Sequence, residues 1–225
     1  MLALLYDVHG NVLALEAVLA DAESAGAERY ILGGDYALFG AWPAETVERL
    51  RGLDATWIRG NVDRWTADPG DAPEWVQGAI QRCRELLGED AVRELATLPE
   101  QLVLDGIRYC HASPLSDLDS FATDDPARDA ELLDGAGEAR VVFGHTHLQF
   151  ERRSPAGPTL LNPGSVGMPL DGDHRAAYAL IGDPGEAELR RVDYDWEASA
   201  RAVRERLGEA GELPARRIEQ ARFDV

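Results

Sequence analysis

The chain has 225 residues, 45% hydrophobic and 28% charged, which is enough for one compact domain with a full core. With 41 acidic against 22 basic residues its net charge is −19, which disfavours stable nucleic-acid binding and adsorption to an anionic membrane. All the basic residues are Arg, which rules out Schiff-base and P-loop lysine chemistry, and Cys83 and Cys110 are too few for a disulfide framework or a thiolate-rich zinc site. The apolar opening meets Asp7 before a signal-peptide core is reached, and no run approaches the ~20 apolar residues of a membrane span, so a soluble cytoplasmic protein is expected.

Residues 2–6 form a short continuous apolar run, as in a strand buried on both faces. Helical spacing follows over 11–25, then a strand at 29–32, a helix at 44–53 and a strand at 56–58, a β-α-β-α-β order that implies parallel strands. Residues 73–98 read as helical. The alternation then stops: 102–104 and 107–110 flank Asp105-Gly106 as a hairpin, and further strands are predicted at 141–143, 149–153, 159–161, 177–181 and 188–192. Pro155-Ala156-Gly157-Pro158 and Asp183-Pro184-Gly185 separate some of these strands. A closing helix is predicted at 196–207. The whole chain is read as one mixed α/β domain; acidic, interrupted residues 117–137 read as a mobile insertion, and 208–225 as a loosely attached polar tail.

Candidate metal ligands fall at strand ends. Asp7 and His9 end the first strand, Asp35 the second and Asn61 the third; His111 ends the hairpin, and His145 and His147 follow 141–143. Ligands of parallel α/β folds bind beyond the carboxyl ends of strands, so these distant residues would gather on one edge. Oxygen and imidazole donors without thiolate suit Mn, Fe, Zn, Ni or Co, and seven such groups could hold two divalent ions if one carboxylate is shared.

In Asp7-Val8-His9-Gly10-Asn11, Gly34-Asp35, Gly60-Asn61-Val62-Asp63, His111-Ala112-Ser113-Pro114 and Gly144-His145-Thr146-His147 the chain resembles the calcineurin-like metallophosphoesterase superfamily. The run 161–167, Leu-Asn-Pro-Gly-Ser-Val-Gly, resembles its small single-domain bacterial and archaeal branch, with which phosphodiesterase activity is associated. The resemblance spans residues 2–194 and implies a four-layer αββα sandwich, with two mixed β-sheets flanked by helices. It implies two divalent ions, Mn foremost: Asp7, His9 and His147 on one, Asn61, His111 and His145 on the other, Asp35 bridging. Attack on phosphorus by a hydroxide bridging the two ions is then implied, with Asp35 positioning it and Asn61 also touching the phosphate.

One position departs from the pattern. Most members carry His after the Gly-Asn pair, assigned to leaving-group protonation; here it is Val62, which has no proton to give. A positioned general acid is worth roughly 10²–10⁴-fold, so esters with poor leaving groups should suffer most. A small phosphoester substrate is expected, most simply a diester. Dinucleoside polyphosphate hydrolysis is one alternative and a non-catalytic metal-binding scaffold another. Homo-oligomerisation stays open.

The remaining polar positions have competing readings. Asn11 caps the first helix or reaches a substrate phosphate. Asp63, which in other members would orient the missing His, is expected to pair with Arg64 or Arg59. His174 reads as a solvated loop residue, Gly164-Ser165-Val166-Gly167 as a structural turn, and Cys110 as a packing residue facing away from His111.

Overall fold

The computed structural model describes residues 1–182 and 185–225; Asp183 and Pro184 of the expected Asp183-Pro184-Gly185 turn lie outside them. Strand β1 (Leu2–Leu5) pairs in parallel with β2 (Arg29–Leu32), and β2 with β3 (Ala55–Trp57). Helices α1 (Val12–Ser24) and α2 (Pro43–Arg51) make the two crossovers. On the other side β1 pairs antiparallel with β9 (Ala176–Ile181), and β9 with β10 (Ala187–Val192), giving the sheet order β10-β9-β1-β2-β3.

The second sheet also mixes directions. Strands β5 (Ile107–Cys110), β6 (Arg140–Val142) and β8 (Thr159–Asn162) run parallel, while β4 (Gln101–Leu104) and β7 (Phe150–Arg153) pair antiparallel at its edges, in the order β4-β5-β6-β8-β7. Side chains alternate across each strand, so β1 serves two cores. Leu4 and Tyr6 pack between the sheets with Ile31, Tyr109, Val142 and Leu161, whereas Ala3 and Leu5 face a larger core shared with the helices. The continuous apolar run at the N-terminus reflects burial on both faces.

The outer layers are unequal. The first sheet is covered by α1, α2, α4 (Gln77–Leu87), α5 (Glu89–Ala96) and α7 (Trp196–Leu207). The helical stretch predicted at 73–98 is therefore two helices, broken at Gly88, whose φ of +85° needs the freedom of a glycine. Between them, α3 (Asn61–Ala67) packs on α4 and α5. Over the second sheet the only helix among the described residues is the four-residue α6 (Asp129–Leu132). Irregular residues 117–137 are fastened there by Phe121, Leu132 and Leu133, buried against Val141, Phe143 and Leu160, and by a two-point Arg152–Asp129 ion pair at 2.6 and 2.7 Å.

Residues 208–225 are not the loose polar tail read from the sequence. A 3-10 turn leads into α8 (Glu212–Gln220), which packs on α7 and buries Pro214, Ala215 and Ile218. Beyond it, Ala221 is buried, and its carbonyl accepts from the Gly172 N–H at 2.8 Å. No helix among the described residues is long and apolar enough to cross a membrane.

Candidate metal centre

The parallel strands deliver their C-terminal ends to one place. Asp7 and His9 follow β1, Asp35 follows β2 and Asn61 opens α3 just after β3; His111 follows β5, and His145 and His147 follow β6. The two sheets meet there, so residues 140 positions apart stand side by side. Five of these seven, Asp7, His9, Asp35, His145 and His147, have φ between +47° and +66°. This left-handed region costs L-residues energy, least so for Asp and His, and strained backbone of this kind concentrates at functional sites. Crowding explains the adjoining glycines: a Cβ on Gly60 would lie 2.1 Å from Asp35 Oδ1, and one on Gly144 2.5 Å from Asp7 Oδ2.

Two triads result, Asp7-His9-His147 and Asp35-His111-His145, each with ligand atoms within 4.8 Å of one another. Asn61 Oδ1 joins the second, 3.0 Å from both His111 Nε2 and His145 Nδ1. Asp35 Oδ1 accepts from the Val62 N–H, while Oδ2 is turned toward one ring of each triad, 3.8 Å from His9 Nε2 and 3.3 Å from His111 Nε2. Asp7 Oδ2 accepts from the His145 N–H at 3.0 Å.

The donor set fits divalent cations. The Nδ1 atoms of His9, His111 and His147 lie 2.9, 2.8 and 2.6 Å from the carbonyl oxygens of Leu38, Gly33 and Met168. A carbonyl only accepts, so each Nδ1 carries hydrogen, and each ring when neutral offers its lone pair at Nε2, the usual orientation of a metal-bound imidazole. His9 Nε2 and His147 Nε2 then face each other at 3.1 Å, a repulsive contact unless a cation or proton stands between them. Asp7 Oδ1, fully buried, has no hydrogen-bond partner, and an orphaned buried acceptor of this kind needs a positive neighbour.

Charge inside the cluster divides in a consistent way. Burial pushes His9 and His145 down to about 4, helped by the neighbouring His147 and His111 respectively. Burial opposes the His111 imidazolium too, but the Asp35 and Asp7 carboxylates outweigh it and raise that ring to about 10. Asp7 and Asp35 are held below the usual carboxylate range despite burial, chiefly by His147 and by His111.

Other expected roles change. Asn11 is a cap: Oδ1 accepts from the Ala14 N–H at 3.2 Å, and Nδ2 donates to the Gly167 carbonyl at 2.8 Å. Both ends of its side chain are thus engaged, and Asn11 is not among the residues lining the cleft. Asp63 pairs with neither Arg64 nor Arg59. Its buried carboxylate accepts from the N–H groups of Asp35, Tyr36 and Gly60 at 2.8, 3.1 and 2.9 Å, while burial and the Asp35 charge push its pKa up to about 7. Arg64 binds Asp117 and Asp71, and Arg59 binds Glu100. His174 is less solvated than expected, stacked on Trp196 with Nε2 2.7 Å from the Glu219 carbonyl. Ser165 braces the centre by donating to the Asp7 carbonyl at 2.7 Å.

A cleft of about 500 Å³ opens over the centre, with His9, Asp35, Asn61, His145 and His147 at its floor. Val62, Trp65, Phe39, Trp75, Met168 and Leu170 wall it, and Arg217 and Phe223 reach in from the C-terminal segment. Sequence reasoning singled out Val62 but missed the rest of the wall. Of the aromatic residues, Trp65 lies on α3, Phe39 in a loop, Trp75 in a 3-10 turn (Glu74–Val76) and Phe223 among the last few residues, and no periodicity in the sequence brings these four together.

This fold and site define a metallophosphoesterase-like α/β sandwich. A family model for the calcineurin-like phosphoesterase superfamily domain matches residues 1–183, and the chain belongs to that family, which is metal-dependent. It is 27% identical over 233 residues to an uncharacterized protein of Methanocaldococcus jannaschii, across 93% of this chain and 94% of that one. Its structure is similar to a metallophosphoesterase from Sphaerobacter thermophilus, with a TM-score of 0.84, 25% identity and 98% of each chain covered. It also shares its fold with a hypothetical protein of Pyrococcus horikoshii, at a TM-score of 0.82, 21% identity, and 95% and 98% of the two chains.

Proposed function

We propose that the protein is a phosphodiesterase that works with two divalent ions, manganese foremost, held by the two triads and Asn61. The observation that carries this is Asp35 Oδ2, turned toward His9 of one triad and His111 of the other, where one carboxylate oxygen can serve two ions. When bound, such a pair polarises phosphoryl oxygens and lowers the pKa of a water molecule toward neutrality.

The chain's own residues set what that chemistry acts on. The N–H groups of Val62 and His145 hold one oxygen of Asp35 and of Asp7, leaving the other facing the rings. Asn61 turns its carbonyl oxygen to the second triad from the cleft floor, within reach of a phosphate there. Val62 presents a hydrocarbon surface, so a leaving oxygen beside it departs without a proton from that position. Diesters of acidic alcohols tolerate this, and phosphoanhydrides such as dinucleoside polyphosphates are the next class. Retention of a complete ligand set at an open cleft favours turnover over a scaffold role. The acidic surface suits a small substrate better than a polyanion. Both cysteines are free and buried, which suits a reducing cytoplasm.

The test is a screen of metal-stripped protein reloaded with Mn, Fe, Zn, Ni or Co against monoesters, diesters and dinucleoside polyphosphates. Hydrolysis strongest on an aryl diester, and absent without metal, is expected. No turnover with any metal would contradict the proposal.

A further inference from the structure

The cleft wall carries a feature that metal chemistry does not use. From the metal ligands outward the ring centroids run His9–Phe39 at 5.6 Å and Phe39–Trp75 at 5.9 Å, the latter pair within 10° of parallel. Next, the Arg217 guanidinium carbon lies 5.1 Å from the Trp75 ring centre and 4.1 Å from that of Phe223. A continuous row of π surfaces thus leads from the centre to the rim, with a cation set into it. Trp75 and Phe223 are 51% and 59% exposed, unusually open for large aromatic side chains at a cleft mouth.

Arg217 is the buried arginine of this acidic chain, yet no carboxylate lies within ion-pair distance of it among the described residues. Burial works against its charge and holds its pKa below the usual arginine value; Asp224 favours the charge but makes no ion pair with it. Nε donates to the Phe223 carbonyl at 3.2 Å, which anchors the side chain; the two terminal nitrogens have no hydrogen-bond partner among the described residues. A guanidinium left open in this way beside a cleft is a receptor for an anion, and its planar face can also stack on rings. Two aromatic rings stand between it and His9, so the anion it receives is not the phosphate at the metal centre.

We propose that the Phe39–Trp75–Arg217–Phe223 row is a substrate subsite, in which the retained group of the ester lays a flat ring against the wall and offers a second negative charge to Arg217. This rests on the phosphodiesterase reading and names the chemistry of the substrate: an aromatic group bearing its own anion. The C-terminal segment, outside the stretch that defines the family, then acts as the specificity element.

Three diesters of 4-nitrophenol separate the contributions while keeping the leaving group constant: the methyl, phenyl and 4-carboxyphenyl esters of 4-nitrophenyl phosphate. On the manganese-loaded protein, kcat/KM is expected to rise about tenfold from methyl to phenyl and about tenfold again to carboxyphenyl, mostly through KM. Trp75→Leu, at an exposed position, should cut the first ratio at least fivefold. Arg217→Met should bring the second ratio close to one, and Arg217→Lys should restore part of it; agreement between the Lys and Met variants would instead indicate loss of local structure and overturn the proposal. Equal rates on all three esters in the wild type, or an unchanged carboxyphenyl preference in Arg217→Met, would also overturn it while leaving the phosphodiesterase reading intact. Should none of the esters be hydrolysed, that reading fails and the subsite is tested by binding of 4-carboxyphenyl phosphate. Weakening of at least fivefold in Arg217→Met supports the subsite, and equal or absent binding overturns it.

Discussion

In the proposed function, substrate choice turns on Val62. It is almost fully buried in the cleft wall and commits its N–H to Asp35. Turnover of an aryl diester is expected to exceed that of an alkyl monoester by at least about 100-fold, since a missing general acid costs that much. An alkyl monoester turned over as fast as the diester would refute this. Val62→His brings an imidazole, but Asp63 is not free to orient it, because three backbone N–H groups occupy its carboxylate. The gain in kcat on an alkyl monoester, at matched metal content, should therefore stay below about tenfold; a 100-fold gain would show that the ring needs no such support. Asp63→Ala would strand those buried N–H groups at a cost of about 3–5 kcal/mol, read as a lower urea midpoint at an unchanged slope. An effect below about 1 kcal/mol would mean that water replaces the carboxylate. The candidate metal ligands are legible in the sequence because each ends a strand in a short motif. Asp63 is not, because backbone N–H groups leave no trace in residue identity.

Among the elements, α8 departs most from its sequence reading. Ala215, Ile218 and Ala221 recur every third residue and all are buried, but Glu and Arg at intervening positions dilute that stripe. Arg204 on α7 ties the helix down through ion pairs to Glu212 and Glu219. Packing dominates such exposed pairs, so Ile218→Ala is expected to cost about 2–4 kcal/mol in urea unfolding. A cost under about 0.5 kcal/mol would return the segment to a loose tail. The strands, by contrast, are legible to within a residue or two, since β1, β6 and β9 are buried on both faces and read as unbroken apolar runs. Gly88 was the readable signal for the α4–α5 break, and helical spacing on both sides hid it.

For the whole molecule the decisive arrangement is two mixed sheets whose parallel strands end at one edge, so that the cores are built without the centre. Chelation should therefore leave the far-UV circular dichroism unchanged while activity disappears. Asp7 and Asp35 are buried together, and a bound divalent ion would relieve their repulsion. Saturating metal at about 100 times its Kd stabilises by about 2.7 kcal/mol for each ion bound, so two ions should raise the melting temperature by about 10–20 °C. Unfolding on chelation would make the centre a structural staple. The layering follows from strand patterning in the sequence; the thin cover over the second sheet does not, because Phe121, Leu132 and Leu133 lie scattered through an acidic stretch with no period.

Binuclearity tests the centre most directly. Metal-stripped wild type and Asp35→Asn can each be reloaded with manganese, desalted and assayed for metal per chain. Two ions in the wild type, and loss of both in Asp35→Asn, are expected if that carboxylate is shared; one ion in the wild type, or loss of a single ion in the variant, would contradict it.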